Sequence, residues 1–169
     1  MKTVSVCILA VLAAAYLFCL PRDIFQDTPY STVVTSQEGE LLGARIASDG
    51  QWRFPPTGNV PEKFKICIIE FEDRFFRWHP GVNPFAVARA VRDNISSGKV
   101  VSGASTITMQ VARMSRQKER TLWQKMLEAI LATRMELRYS KDEILALYAS
   151  HAPFGGNVVG IEAAAWRYC

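Results

Sequence analysis

The chain has 169 residues, a formal net charge of +4 and 11% aromatic residues. This composition excludes a disordered tail and a strongly basic nucleic-acid binder, and the length suits one domain of ordinary size. A mild positive charge serves either simple solubility or attraction to anionic lipid head groups.

Thr3 to Leu20 carry no charge and are mostly aliphatic, just enough to span a bilayer core. Lys2 precedes the run, and Arg22, Asp23 and Asp27 follow it. The basic end should therefore stay in the cytoplasm and the remainder lie outside. The expectation is a transmembrane signal-anchor over residues 1–20, with a cleaved signal peptide as the competitor. Residues 21–30 read as a linker. Ser31 to Ala47 alternates in places and breaks at Glu38-Gly39-Glu40, which predicts a β-hairpin with Val33, Val34, Leu41 and Leu42 on its apolar side. Asp49-Gly50 and Pro55-Pro56 are turn signals.

From Pro61 the pattern is helical, with Phe64, Cys67, Ile68 and Phe71 at helical spacing. Asn83-Pro84 caps a second helix, expected to Ser96 with Phe85, Ala88, Val91 and Ile95 inward, and Gly98 ends it. A third helix is expected from Ser105, with Ile107, Val111 and Met114 on one side. A fourth opens at Thr121 with Gln124 three on, and a fifth at Ser140 with Glu143 three on, both capping-box spacings. A last helix is expected near Val158. The soluble part is thus mainly α. The four cysteines give neither a disulfide framework nor metal-ligand spacing.

Two runs carry chemistry. Glu72-Asp73-Arg74-Phe75-Phe76-Arg77-Trp78-His79-Pro80-Gly81 sets an acid pair among aromatics, where desolvation raises the proton affinity of a carboxylate. Gly103-Ala104-Ser105-Thr106-Ile107-Thr108-Met109-Gln110 is a hydroxyl-rich turn opening into a helix, a place where free N–H groups meet an anion. Together they suggest acid/base chemistry on an anionic, phosphorylated substrate. Arg113, Arg120 and Lys125 follow, and Lys125 and Glu128 are spaced to share a helix face, in a salt bridge or in a site.

The two runs resemble the first two motifs of the peptidoglycan glycosyltransferases, glycosyltransferase family 51. Gln124-Lys125-Met126-Leu127-Glu128 resembles the third motif, with Gln124 where Arg is usual. Lys141 to Ser150 resembles the fourth, with Ala146 for a usual Glu and Ser150 for a usual Asn. Gly155 to Ala164 is a weaker fifth. Asp49 to Arg53, Met109 and Ala152 to Gly156 look like the 1C type of class A penicillin-binding protein.

The resemblance implies a lysozyme-like helical glycosyltransferase lobe over residues 31–169, behind the anchor and incomplete at its C-terminus. It implies polymerisation of lipid II into β-1,4 glycan strands with inversion and release of polyprenyl diphosphate. Glu72 matches the general base, with Glu128 as the second catalytic carboxylate. Asp73, His79, Gly103, Ser105, Thr106, Thr108 and Gln110 match substrate contacts, and Arg113, Arg120 and Lys125 match the cradle of the diphosphate. Asp73 also suits local backbone or Arg contacts, and His79 a structural bond at the Pro80-Gly81 kink. Mg2+ or Mn2+ is expected with the diphosphate, without a readable ligand set. Expected partners are lipid II, the nascent glycan strand, the bacterial cytoplasmic membrane with the lobe on its periplasmic side, and other cell-wall synthesis proteins; nucleic acid is not expected. Aromatics near Phe75 and Phe85 offer an apolar patch beside that membrane. An inactive, truncated, membrane-anchored module that binds precursor or synthesis partners is the alternative reading. A lysozyme-like lytic enzyme is a third, disfavoured by the basic cradle.

Overall fold

The computed structural model describes residues 23–169 except 117 and 120, together with Cys7, Val11, Ala13, Ala14 and Tyr16. The expected membrane span therefore lies largely outside the described residues. Among the described residues no helix is long and apolar enough to cross a membrane.

The described chain is mainly helical with two small sheets. Strands β1 (Thr32–Thr35) and β2 (Leu41–Arg45) form the expected antiparallel hairpin. Successive strand residues face opposite sides. Val33, Leu41 and Ala44 consequently pack inward, while Val34 and Leu42 are exposed, which corrects the four-residue apolar side. A second sheet was not anticipated: β3 (Trp52–Arg53) runs parallel to β5 (Val158–Val159), which pairs antiparallel with β4 (Pro153–Gly155). The last helix therefore begins later than expected.

The helices are α1 (Glu62–Glu72), α2 (Pro84–Ser97), α3 (Ile107–Arg116), α4 (Leu122–Glu136), α5 (Lys141–His151) and α6 (Ile161–Tyr168), with a 3-10 turn at Phe76–Trp78. Their starts follow the capping chemistry. Asn83 Oδ1 accepts from Ala86 N, and Thr121 Oγ1 accepts from Gln124 N. Ser140 and Glu143 form both halves of a capping box.

α3 is the centre of the main core. Ile107, Val111 and Ala112 are sealed in it with Met135 of α4 and Ile144 and Leu145 of α5. Two helix faces differ from expectation. On α1, Phe64, Ile68 and Ile69 pack inward, whereas Cys67 and Phe71 are exposed. On α2 the inward position is Ala90, and Phe85 and Ile95 stand 82% and 77% exposed. α2 thus rests on a small side chain and turns its large apolar residues outward.

The stretch read as a linker is built into the core from Asp23 onward. Phe25 is buried and stacks on His151 with ring centroids 3.5 Å apart. Tyr30 bonds His151 Nε2 at 3.0 Å, and Arg53 Nη1 donates to Pro29 O at 2.6 Å. His151 Nδ1 lies 2.9 Å from Leu147 O, so it carries the proton and Nε2 accepts from the Tyr30 hydroxyl. Burial, helped by the charge of Arg53, holds the His151 pKa below its ordinary value, against opposing effects of the Leu147 bond and Asp23.

Candidate active site

Glu72 is the last residue of α1, and two side-chain bonds tie this helix end to the first turns of α3. Gln110 Nε2 donates to Glu72 Oε2 at 2.6 Å, and Ile107 N–H donates to Asp73 Oδ2 at 3.2 Å. Asp73 is buried and also accepts from His79 Nε2, at 2.9 and 3.0 Å from its two oxygens. The negative charge at the positive end of α3 is therefore the protein's own Asp73, which corrects the expectation that this helix start is open to a substrate anion.

The bend after Asp73 is fixed at three points. Lys141 Nζ, itself paired with Glu136, donates to His79 O at 2.7 Å. Thr106 Oγ1 donates to Gly81 O at 2.5 Å. Gly81 has φ +89, and a Cβ there would lie 2.6 Å from Ala132 O, so only glycine lets the bend press against α4.

Glu72 opens into a cleft of about 310 Å3. Gly103, Ser105, Thr106 and Asp73 share its wall with Phe71, Phe75, Asn83, Arg74 and Arg89. The aromatics do not enclose the carboxylate as expected. Phe71 and Phe75 border the cleft but are exposed, Trp78 is exposed, and Phe76 points into the core beneath Lys141.

Of the expected substrate contacts, Ser105 lines the cleft and has no hydrogen-bond partner among the described residues. Thr106 is the residue whose hydroxyl caps α3, accepting from Met109 N at 3.1 Å. Thr108 is 0% exposed and donates to Glu136 at 2.6 Å, so it does not reach the cleft.

The expected cradle divides. Arg113 is half-buried, and it and Glu72 both lie near enough to Tyr148 to act on its charge. Burial first, and Glu72 second, push the Tyr148 hydroxyl up to about 12, against the opposing charge of Arg113. Lys125 is exposed and lines a different cavity. Arg120 lies outside the described residues. Glu128 is 8% exposed on α4, without an ion pair or hydrogen bond among the described residues, so the salt bridge to Lys125 is not formed.

Sequence reasoning missed three residues. Arg89 has no ion pair among the described residues and reaches the cleft because α2 turns that face toward the Gly103–Ser105 loop. Arg74 joins it, 3.5 Å from Glu70. Tyr148 gave no signal, since a Tyr within an apolar helix reads as core.

The sequence of residues 38–169 matches the transglycosylase family. The chain belongs to that family. It is 44% identical over 149 residues to penicillin-binding protein 1C of Escherichia coli strain K12, covering 88% of this chain and 19% of that protein. It is 38% identical over 173 residues to penicillin-binding protein 1A of Neisseria lactamica, covering 97% and 21%, and 40% identical over 136 residues to that of Neisseria cinerea, covering 80% and 17%. The chain thus spans about a fifth of the length of these curated relatives.

Proposed function

We propose that this chain is a peptidoglycan glycosyltransferase lobe of lysozyme-like form, joining lipid II units into β-1,4 glycan strands. The observation that carries the reading is the Glu72 carboxylate, held by Gln110 on one oxygen, at the head of a cleft within reach of Arg and hydroxyl groups. Glu72 Oε1 accepts no hydrogen bond among the described residues and is the oxygen available to a proton.

In the proposed step, the 4-hydroxyl oxygen of the acceptor sugar attacks the anomeric carbon of the donor from the face opposite the leaving group. Its proton passes to Glu72 as the new carbon–oxygen bond forms. The bond from the anomeric carbon to the diphosphate breaks, and polyprenyl diphosphate leaves with inversion. That leaving group already carries its charge stably, so it needs cations more than a proton donor. Arg113 and Lys125, with Arg120, supply them, and Arg89 adds a cation from the cleft wall. Glu128 is the second carboxylate of the proposed site. Ser105 and Gly103 contact the sugar, while Asp73 and His79 hold the base in register from behind.

Among the described residues no three His, Cys, Asp or Glu side chains gather as a metal-ligand set. Mg2+ or Mn2+ would arrive on the diphosphate, and no step above depends on it. The reading includes a membrane anchor over residues 1–20 and a lobe on the periplasmic side of the cytoplasmic membrane, where a polyprenyl substrate stays.

The test is polymerisation of fluorescent lipid II by the purified chain in detergent, beside Glu72→Gln. Polymer from the parent, falling about a hundredfold or more in the variant, is expected. Polymer from both would remove Glu72 from the role. Precursor binding without polymer from a folded parent would support the inactive binding module instead.

A further inference from the structure

Lys99 to Ser105 runs from α2 toward α3 without helix or strand, and its last part, Gly103 to Ser105, lines the Glu72 cleft. Irregular backbone of this kind needs partners for its polar groups. One side chain supplies them. Asn94 of α2 accepts through Oδ1 from Val101 N at 2.8 Å and Ser102 N at 2.9 Å, and its Nδ2 donates to Ser102 O at 3.1 Å. Among the described residues, Lys99 to Ser105 make no other hydrogen bond. A side-chain amide can do this because its oxygen has two lone pairs and its nitrogen two protons. Asn is a weak helix former, so propensity does not explain its place inside α2.

We infer that Asn94 is a positioning residue for the cleft, fixing the Gly103–Ser105 rim relative to Arg89 on the same helix. The inference rests on the glycosyltransferase reading, in which the rim touches the sugar, and adds what sets the rim's place. Glu72 is held separately, by Gln110 of α3. Base and rim are thus positioned from different helices. Without Asn94 the rim would sample many conformations, and the substrate would have to order it on binding. That cost falls on substrate affinity. The chemical step, run by a base whose own tie is intact, keeps its rate.

The test compares Asn94→Ala and Asn94→Asp with the parent, each as the full chain in detergent. Asp retains an acceptor for both N–H groups and loses only the donor to Ser102 O. In Asn94→Ala, amide hydrogen exchange over residues 99–105 is expected to quicken about tenfold or more, with α1 and α3 unchanged. The KM for lipid II should rise about tenfold while kcat stays within about twofold of the parent. Asn94→Asp should fall between the two, in exchange and in KM alike. Unchanged exchange over 99–105 in both variants would overturn the inference. So would faster exchange with KM unmoved, or a loss confined to kcat. Protection lost equally from α1 and α3 in both variants would mark Asn94 as a general structural residue and overturn it too. If the parent makes no polymer, weaker lipid II binding by Asn94→Ala, with the same local exchange, would sustain the rim's role and sink the polymerase reading alone. Equal binding there would sink both.

Discussion

α2 lines the Glu72 cleft and α3 is bonded to Glu72 itself, yet the two helices are held in opposite ways. α3 lies between α4 and α5 with Ile107, Val111 and Ala112 sealed in the core, and its first turns are bonded to Glu72 and Asp73. α2 buries Ala90 alone and turns Phe85 and Ile95 outward. The position of the carboxylate is thus set by the buried helix, and the outer helix supplies a wall and a cation at little cost to the core. Stability and site precision should depend on α3, and surface properties on α2.

Ile107→Ala should break the inner side most severely, losing about 4 kcal/mol in chemical denaturation by leaving a cavity at a sealed position. Asp73→Ala should cost about 3 kcal/mol, because the His79 and Ile107 N–H donors lose their acceptor in a buried place. Its polymerisation should fall further than its stability explains, since one of the two ties between α1 and α3 is gone.

A smaller effect is expected at His151, away from both helices. Its folded pKa lies below the ordinary 6.5, so the neutral ring is the form the fold prefers. The stability it contributes is complete above that value and is lost as pH falls from there through the folded pKa. Thermal melts from pH 7.5 down to 5 should show the parent weakening, with a shallower slope in His151→Gln. The smallest effect belongs to the outer helix. Ile95→Ala should change stability by less than about 0.5 kcal/mol, and a loss near that of Ile107→Ala would erase the contrast between the two helices.

Much of this was legible locally. Asn83, Thr121 and Ser140 announced their helices because capping is a short-range contact between neighbours in the chain. Glu72 and Gln110 were legible as candidates, but not as bonded to one another, since the bond depends on how α1 meets α3. The face of α2 was misread for a physical reason. Periodicity marks Phe85, Val91 and Ile95 as one apolar face, but it does not say whether that face meets protein. The sheet of β3, β4 and β5 was invisible because its strands are two or three residues long, too short for alternation to register. The segment from Asp23 looked like a tether by composition, and only Phe25 against His151 reveals its depth.

The parallel pairing of β3 with β5 also sets an order of assembly. Asn157 Nδ2 donates to Gly50 O across 107 positions of sequence, and every helix from α1 to α5 lies between. During synthesis at roughly 5–20 residues per second, the β3 segment waits on the order of 5–20 s for its partner to be made. Closing so long a loop from an unfolded chain is slow, whereas the helices form from neighbours and pack as they appear. The sheet is therefore expected to close after the helices, joining residues before α1 to residues after α5 once the helical floor beneath Glu72 exists.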